Sequence, residues 1–113
     1  MPGLTVRAIS DRFPTMDPQA VIDRLRQNQS RLEVLGLARV SLFGSTARGQ
    51  AVAGSDVDLA VTLDEAAGID LFRFAAISEQ VRNLLGVAVD LVVEPARNAR
   101  IQAQIDRDRL RVY

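Results

Sequence analysis

Asp56 and Asp58 stand two residues apart at the start of an apolar, β-branched segment, Val57-Asp58-Leu59-Ala60-Val61-Thr62-Leu63. Side chains alternate across a strand, so both carboxylates are expected on one face, where two carboxylates can share a cation. Asp90 is the one acid inside a second apolar run, Val87 to Val93. Burial of an unpaired carboxylate there costs several kcal/mol, which makes a metal ion shared with the Asp56 and Asp58 pair its expected partner. Upstream, Phe43-Gly44-Ser45-Thr46-Ala47-Arg48-Gly49 follows a third β-like run. Gly44 permits a close backbone approach, Ser45 offers a hydroxyl and an amide to phosphate, and a helix starting there aims its N-terminus at an anion. Arg48 either clamps phosphate as a fork or pairs with the acidic middle of the chain.

What the sequence lacks narrows the chemistry as firmly. The 113 residues contain no His and no Cys, and the 14 basic residues are all Arg. Imidazole or thiolate zinc sites, cysteine nucleophiles, Ser-His-Asp triads, Schiff bases and a P-loop lysine are therefore excluded. Carboxylate, guanidinium, hydroxyl and backbone amide remain, a set suited to hard metal ions and phosphate.

These groups need a scaffold, and the chain length suits one small domain. Residues 1–16 show no clear period and read as an N-terminal arm, with the domain at 17–113. Asp17-Pro18 reads as an N-cap with Pro at the first helical position. Val21, Ile22, Leu25, Leu32 and Leu35 then keep helical spacing up to Gly36, with a polar gap at Asn28 and Gln29. Strands are expected at Leu37–Phe43, Val57–Leu63 and Val87–Val93. Asp70 caps a helix whose apolar face is Leu71, Phe74, Ile77, Val81, Leu84 and Leu85, ended by Gly86. A short helix at Asn98–Ile105 and an edge strand at Leu110–Val112 complete the order. The expected fold is α/β (α+β), a small mixed β-sheet with helices packed mainly on one face.

The formal net charge is zero, but its distribution is uneven. Residues 1–50 hold seven Arg against four acids, residues 51–96 two against eight, and residues 97–113 five against two. An acidic middle between basic flanks, with five aromatic residues in all, offers no stacking motif or recognition helix, so direct nucleic-acid binding is not expected. The start MPGLTVRAIS has no signal-peptide core, and no apolar run approaches the roughly 18 residues of a membrane span. The expectation is a cytoplasmic protein without membrane contact.

The Gly44-Ser45 pair, Asp56-Val57-Asp58 and Asp90 together resemble the pattern of the DNA polymerase beta-like nucleotidyltransferase superfamily. The wording LFGSTARGQAVAGSDVDLAV, followed by GVAVDLVV, is most similar to the minimal nucleotidyltransferase (MNT) antitoxins found beside helical HEPN toxins. The resemblance spans roughly residues 17–113 and implies the nucleotidyltransferase fold. It implies that Gly44 and Ser45 hold the triphosphate of ATP, with Arg48 as a further contact, and that Asp56 and Asp58 bind two Mg2+ ions. Asp90 would complete the metal site and accept the proton of the attacking hydroxyl. The implied activity is transfer of AMP to a tyrosine of a partner HEPN toxin. The alternative is a binding module that covers a helical toxin through exposed apolar positions and the basic tail, its nucleotide site idle. Open sheet edges and a small core suit a hetero-oligomer.

Overall fold

The structure, a computed structural model, describes residues 17–113; the arm read at residues 1–16 lies outside them. Helix α1 spans Pro18–Gln27, and the Asp17 carboxylate accepts from Ala20 N at 2.9 Å, so the expected cap is formed. The single helix expected up to Gly36 is two. The polar gap ends α1: Asn28 Nδ2 donates to Arg24 O at 2.9 Å and Asn28 N to Leu25 O at 3.1 Å, and α2 restarts at Gln29–Leu35. With no apolar side chain at this turn to seat it on the core, the Asn amide competes successfully for a backbone carbonyl. Gly36 then reverses the chain at φ +112°, where a Cβ would strike the Ile69 side chain.

Strand β1 (Leu37–Phe43) leads into the one-turn helix α3 (Gly44–Ala47), and β2 (Val57–Leu63) returns antiparallel to β1. Helix α4 (Leu71–Leu85), capped by Asp70 through Arg73 N at 2.8 Å, carries the chain across to β3 (Val89–Val93), which lies parallel to β2. Helix α5 (Ala99–Asp108) precedes β4 (Leu110–Arg111), which pairs antiparallel with the other side of β1. The sheet order is β3-β2-β1-β4, a mixed sheet as expected. Strand β3 starts two residues later than read from sequence: Val87 and Ala88 are spent on the return from Gly86, although Ala88 O still accepts from Val57 N. Helix α5 runs three residues beyond Ile105, and β4 is one residue shorter than expected.

Alternation sorts the strand residues to two faces. Val40, Leu42, Val57, Leu59, Val61 and Val89 point to one, where they pack with Val21 and Leu25 of α1, Leu32 of α2, and Ile77, Val81 and Leu85 of α4. This face holds most of the core, and its burial of Val and Leu side chains is worth about 1.5–3 kcal/mol each. Leu71, read as part of the apolar face of α4, is exposed in the first turn, beyond the edge of the core. On the opposite face Phe43 and Ala60 pack with Ile105 of α5. Three helices thus cover one face and a single short one covers part of the other, leaving the rest of that second face open. No helix among the described residues is long and apolar enough to cross a membrane.

Candidate active site

The open face carries the acids. Because Val57 and Leu59 enter the main core, Asp58 between them projects to the other side, and the same parity turns Asp90 outward beside buried Val89. Asp58 and Asp90 face one another directly in the parallel β2–β3 register. Asp56 lies just before β2 in the extended connection, exposed to solvent. The expectation that Asp90 is buried is corrected: it is exposed, on an edge strand where α5 packs near Val92 and leaves Asp90 open. Asp58 is the half-buried member of the group.

Their proximity registers in the charge of Asp58. Burial, and then repulsion from Asp90 and Asp56, push its carboxyl from the ordinary 3.8 up to about 6, while Arg48 pulls in the opposite direction. A cation beside the group relieves that strain. Among the described residues no three acids converge into a ready metal cage. This donor set still fits Mg2+, which keeps most of its shell for water and substrate phosphate and takes only one or two protein carboxylates.

Gly44 meets Asp58 from the adjoining strand. Phe43 is the register partner of Asp58, and Gly44 follows with φ +77°. A Cβ at Gly44 would run into Asp58 Oδ2 and lie 3.2 Å from its Cγ, so only glycine allows the backbone to pass over this carboxylate in a left-handed conformation. The turn of α3 is closed by Arg48 N to Gly44 O at 3.2 Å, Gly49 N to Thr46 O at 3.1 Å and Gln50 N to Ser45 O at 2.9 Å. No side chain caps its start. Ser45, half-buried, stands at that start beside Gly44.

Arg48 is not paired with the acidic middle. Its Nη1 donates to Asp108 Oδ2 at 2.6 Å and its Nε to Gln50 Oε1 at 3.0 Å, so the guanidinium is braced by the end of α5. The Asp108 side chain is only 4% exposed and also accepts from Arg107 Nε at 3.1 Å, and these bonds hold its carboxyl below the usual carboxylate range. Asp108 braces Arg48 and is not among the residues singled out by the sequence pattern. Its signal was there: an acid set between Arg107 and Arg109 in an otherwise basic tail.

Carboxylates facing each other across two strands, with a glycine turn pressed against one of them, can hold a divalent cation beside a bound phosphate. The pattern of the nucleotidyltransferase domain matches residues 20–111, and the chain belongs to that family, an enzyme class. It is 34% identical over 76 residues to the protein adenylyltransferase MntA of Thermococcus cleftensis, covering 67% of this chain and 75% of the relative. It also superposes on a solved protein assigned as a minimal nucleotidyltransferase, with a TM-score of 0.69 and 36% identity, covering 84% of this chain and 95% of the other. A more distant likeness, TM-score 0.59 at 19% identity over 81% of this chain and 71% of the other, is to a tri-AMPylated Shewanella oneidensis HEPN toxin in complex with MNT antitoxin; it shows the fold alone.

Proposed function

We propose that the chain transfers AMP from ATP to a hydroxyl of a partner protein, a tyrosine of a HEPN toxin, and thereby acts as an antitoxin in the cytoplasm. The observation that carries this reading is the Asp58–Asp90 register pair beside the left-handed Gly44. The likeness to the Thermococcus cleftensis protein adenylyltransferase supports protein adenylylation, and the choice of a HEPN partner follows the resemblance of the Gly44–Asp58 segment to MNT antitoxins.

In this reading Asp56, Asp58 and Asp90 hold two Mg2+ ions. When bound, the ions polarise the phosphoryl group, lower the pKa of the acceptor hydroxyl and stabilise the departing pyrophosphate. The Gly44 and Ser45 turn receives the triphosphate through backbone amides and the Ser45 hydroxyl. Arg48, braced by Asp108, adds positive charge on the same side. The acceptor oxygen forms its bond to the α-phosphorus, the bond from that phosphorus to the bridging oxygen breaks, and pyrophosphate leaves. Asp90 takes the hydroxyl proton. Its exposure on an edge strand suits an acceptor carried by another protein.

The test is label transfer. The chain and its HEPN partner are incubated with Mg2+ and ATP labelled at the α or the γ phosphate, beside the Asp56→Asn variant. Protein-bound α label without γ label, lost in the variant, is the expected result. A second reading, a binding module with an idle nucleotide site, draws on Leu71 and Phe72, which are 79% and 86% exposed side by side on α4. A partner that stays bound but takes no label would favour that reading.

A further inference from the structure

The open face of the sheet carries a second polar constellation, toward the opposite end of the strands from Gly44. There Arg39 of β1 faces Thr62 of β2, and Ser41 lies between Ala60 of β2 and Arg111 of β4 in register. With Arg109 and Tyr113 these residues line a cavity of about 300 Å³. It is separated from Asp58 along β2 by Ala60, which is packed against Phe43 and Ile105.

The charge in this cavity is unbalanced. Its single side-chain carboxylate, Glu94, is already committed to Arg109: Oε2 accepts from Nη1 at 3.3 Å and Oε1 from Nη2. Gln102 Nε2 also reaches Glu94 Oε1, at 3.5 Å. Among the described residues the side chains of Arg39 and Arg111 form no ion pair or hydrogen bond within the protein. Among the described residues, therefore, no side-chain carboxylate pairs with either of these two guanidinium groups in the concavity.

The hydroxyls add donors. Ser41, 4% exposed, accepts from Arg109 Nη1 at 3.0 Å and retains its own proton to donate. Tyr113 spends its hydroxyl proton on Leu37 O at 2.9 Å and serves as a wall. A surface of guanidinium forks and hydroxyl donors is complementary to a group with several charged oxygens. The volume lies at the lower limit for small-molecule cavities, which selects a compact anion.

We propose that this arginine-lined cavity binds a phosphate-type oxyanion, as free phosphate or pyrophosphate or as the phosphate end of a small ester. The site requires neither Asp58 nor a cation, so it stands whether or not the carboxylate site transfers nucleotides.

The experiment follows the arginine side-chain N–H signals of the labelled chain by NMR at constant ionic strength, with EDTA present so that no divalent cation is available. Inorganic phosphate, pyrophosphate and AMP are titrated separately. The expected result is a saturable shift of the Arg39 and Arg111 signals. The Arg39→Gln/Arg111→Gln variant should bind roughly tenfold or more weakly, since each substitution removes a charge-assisted fork, whereas Asp58→Asn should bind as the parent does. A response to AMP comparable to that of phosphate assigns an ester ligand, and a response to phosphate and pyrophosphate alone assigns the free anions. No saturable response to any of the three, or an equal response in the double variant, overturns the proposal. Thermal melts establish that the double variant is folded, and Thr62→Val carries the same comparison without removing a charge.

Discussion

Asp58 and Asp90 occupy matching positions on neighbouring parallel strands, one half-buried and the other open to solvent. This pairing places the two carboxylates in different surroundings. The inner one is held close to Gly44 and constrained by its neighbours; the outer one meets whatever approaches the edge of the sheet.

Asp58→Asn is expected to lower transfer of α label by about 100-fold or more while leaving the melting transition cooperative. Activity within a few-fold of the parent would move the site away from this carboxylate. The readout is a rate of label incorporation paired with a thermal melt of the same sample.

The raised Asp58 pKa has a definite consequence for metal-free protein. Between its ordinary 3.8 and about 6 the folded state binds the proton more tightly than the unfolded chain does. Stability contributed by this group is therefore fully present at the acid end of the window, falls as pH rises through it, and levels off above about 6. Urea unfolding in EDTA at several pH values, on the parent and Asp58→Asn, isolates the effect. The difference between the two should shift in favour of the variant as pH rises, and a pH-independent difference would contradict the assignment.

Gly44→Ala adds a Cβ at φ +77° against the Asp58 carboxylate. The expected loss is about 1–3 kcal/mol, from backbone strain and the collision together. Asp58→Ala removes the group the new methyl meets, so the double variant should recover part of that loss. A double-mutant cycle measures the coupling; strictly additive losses would show that the contact between the two residues is not a determinant.

Asp108→Asn leaves the Arg48 guanidinium without its ionic brace. If Arg48 assists the triphosphate, the variant should raise KM for ATP several-fold with kcat little changed, the pattern of lost uniform binding. Steady-state kinetics against ATP at saturating partner resolve the two parameters. An unchanged KM would leave Arg48 as a purely structural residue.

The residues of the candidate site were legible because strand alternation and glycine stereochemistry are local rules. Asp58 on the face away from Val57 and Leu59, and the sharp turn at Gly44, follow from spacing alone. The exposure of Asp90 did not follow, since an apolar run looks the same on an edge strand as on a central one, and only the sheet order distinguishes them. The partner of Arg48 was hidden for another reason: Asp108 is 60 residues away, and no local pattern encodes which of several acids a guanidinium will reach. The break at Asn28 lay between these cases. The polar gap was visible, but whether one turn of helix survives it depends on competition between the Asn amide and the backbone.

That separation between Arg48 and Asp108 also orders events in time. The β2–β3 pair that sets Asp58 beside Asp90 is bridged by α4 within a contiguous stretch, whereas the Arg48 brace and the β1–β4 ladder wait for residues 108–111. Contacts of long sequence separation pay their loop-closure entropy late. During synthesis, the residues of the Asp58–Asp90 register pair are therefore made before the group that braces Arg48.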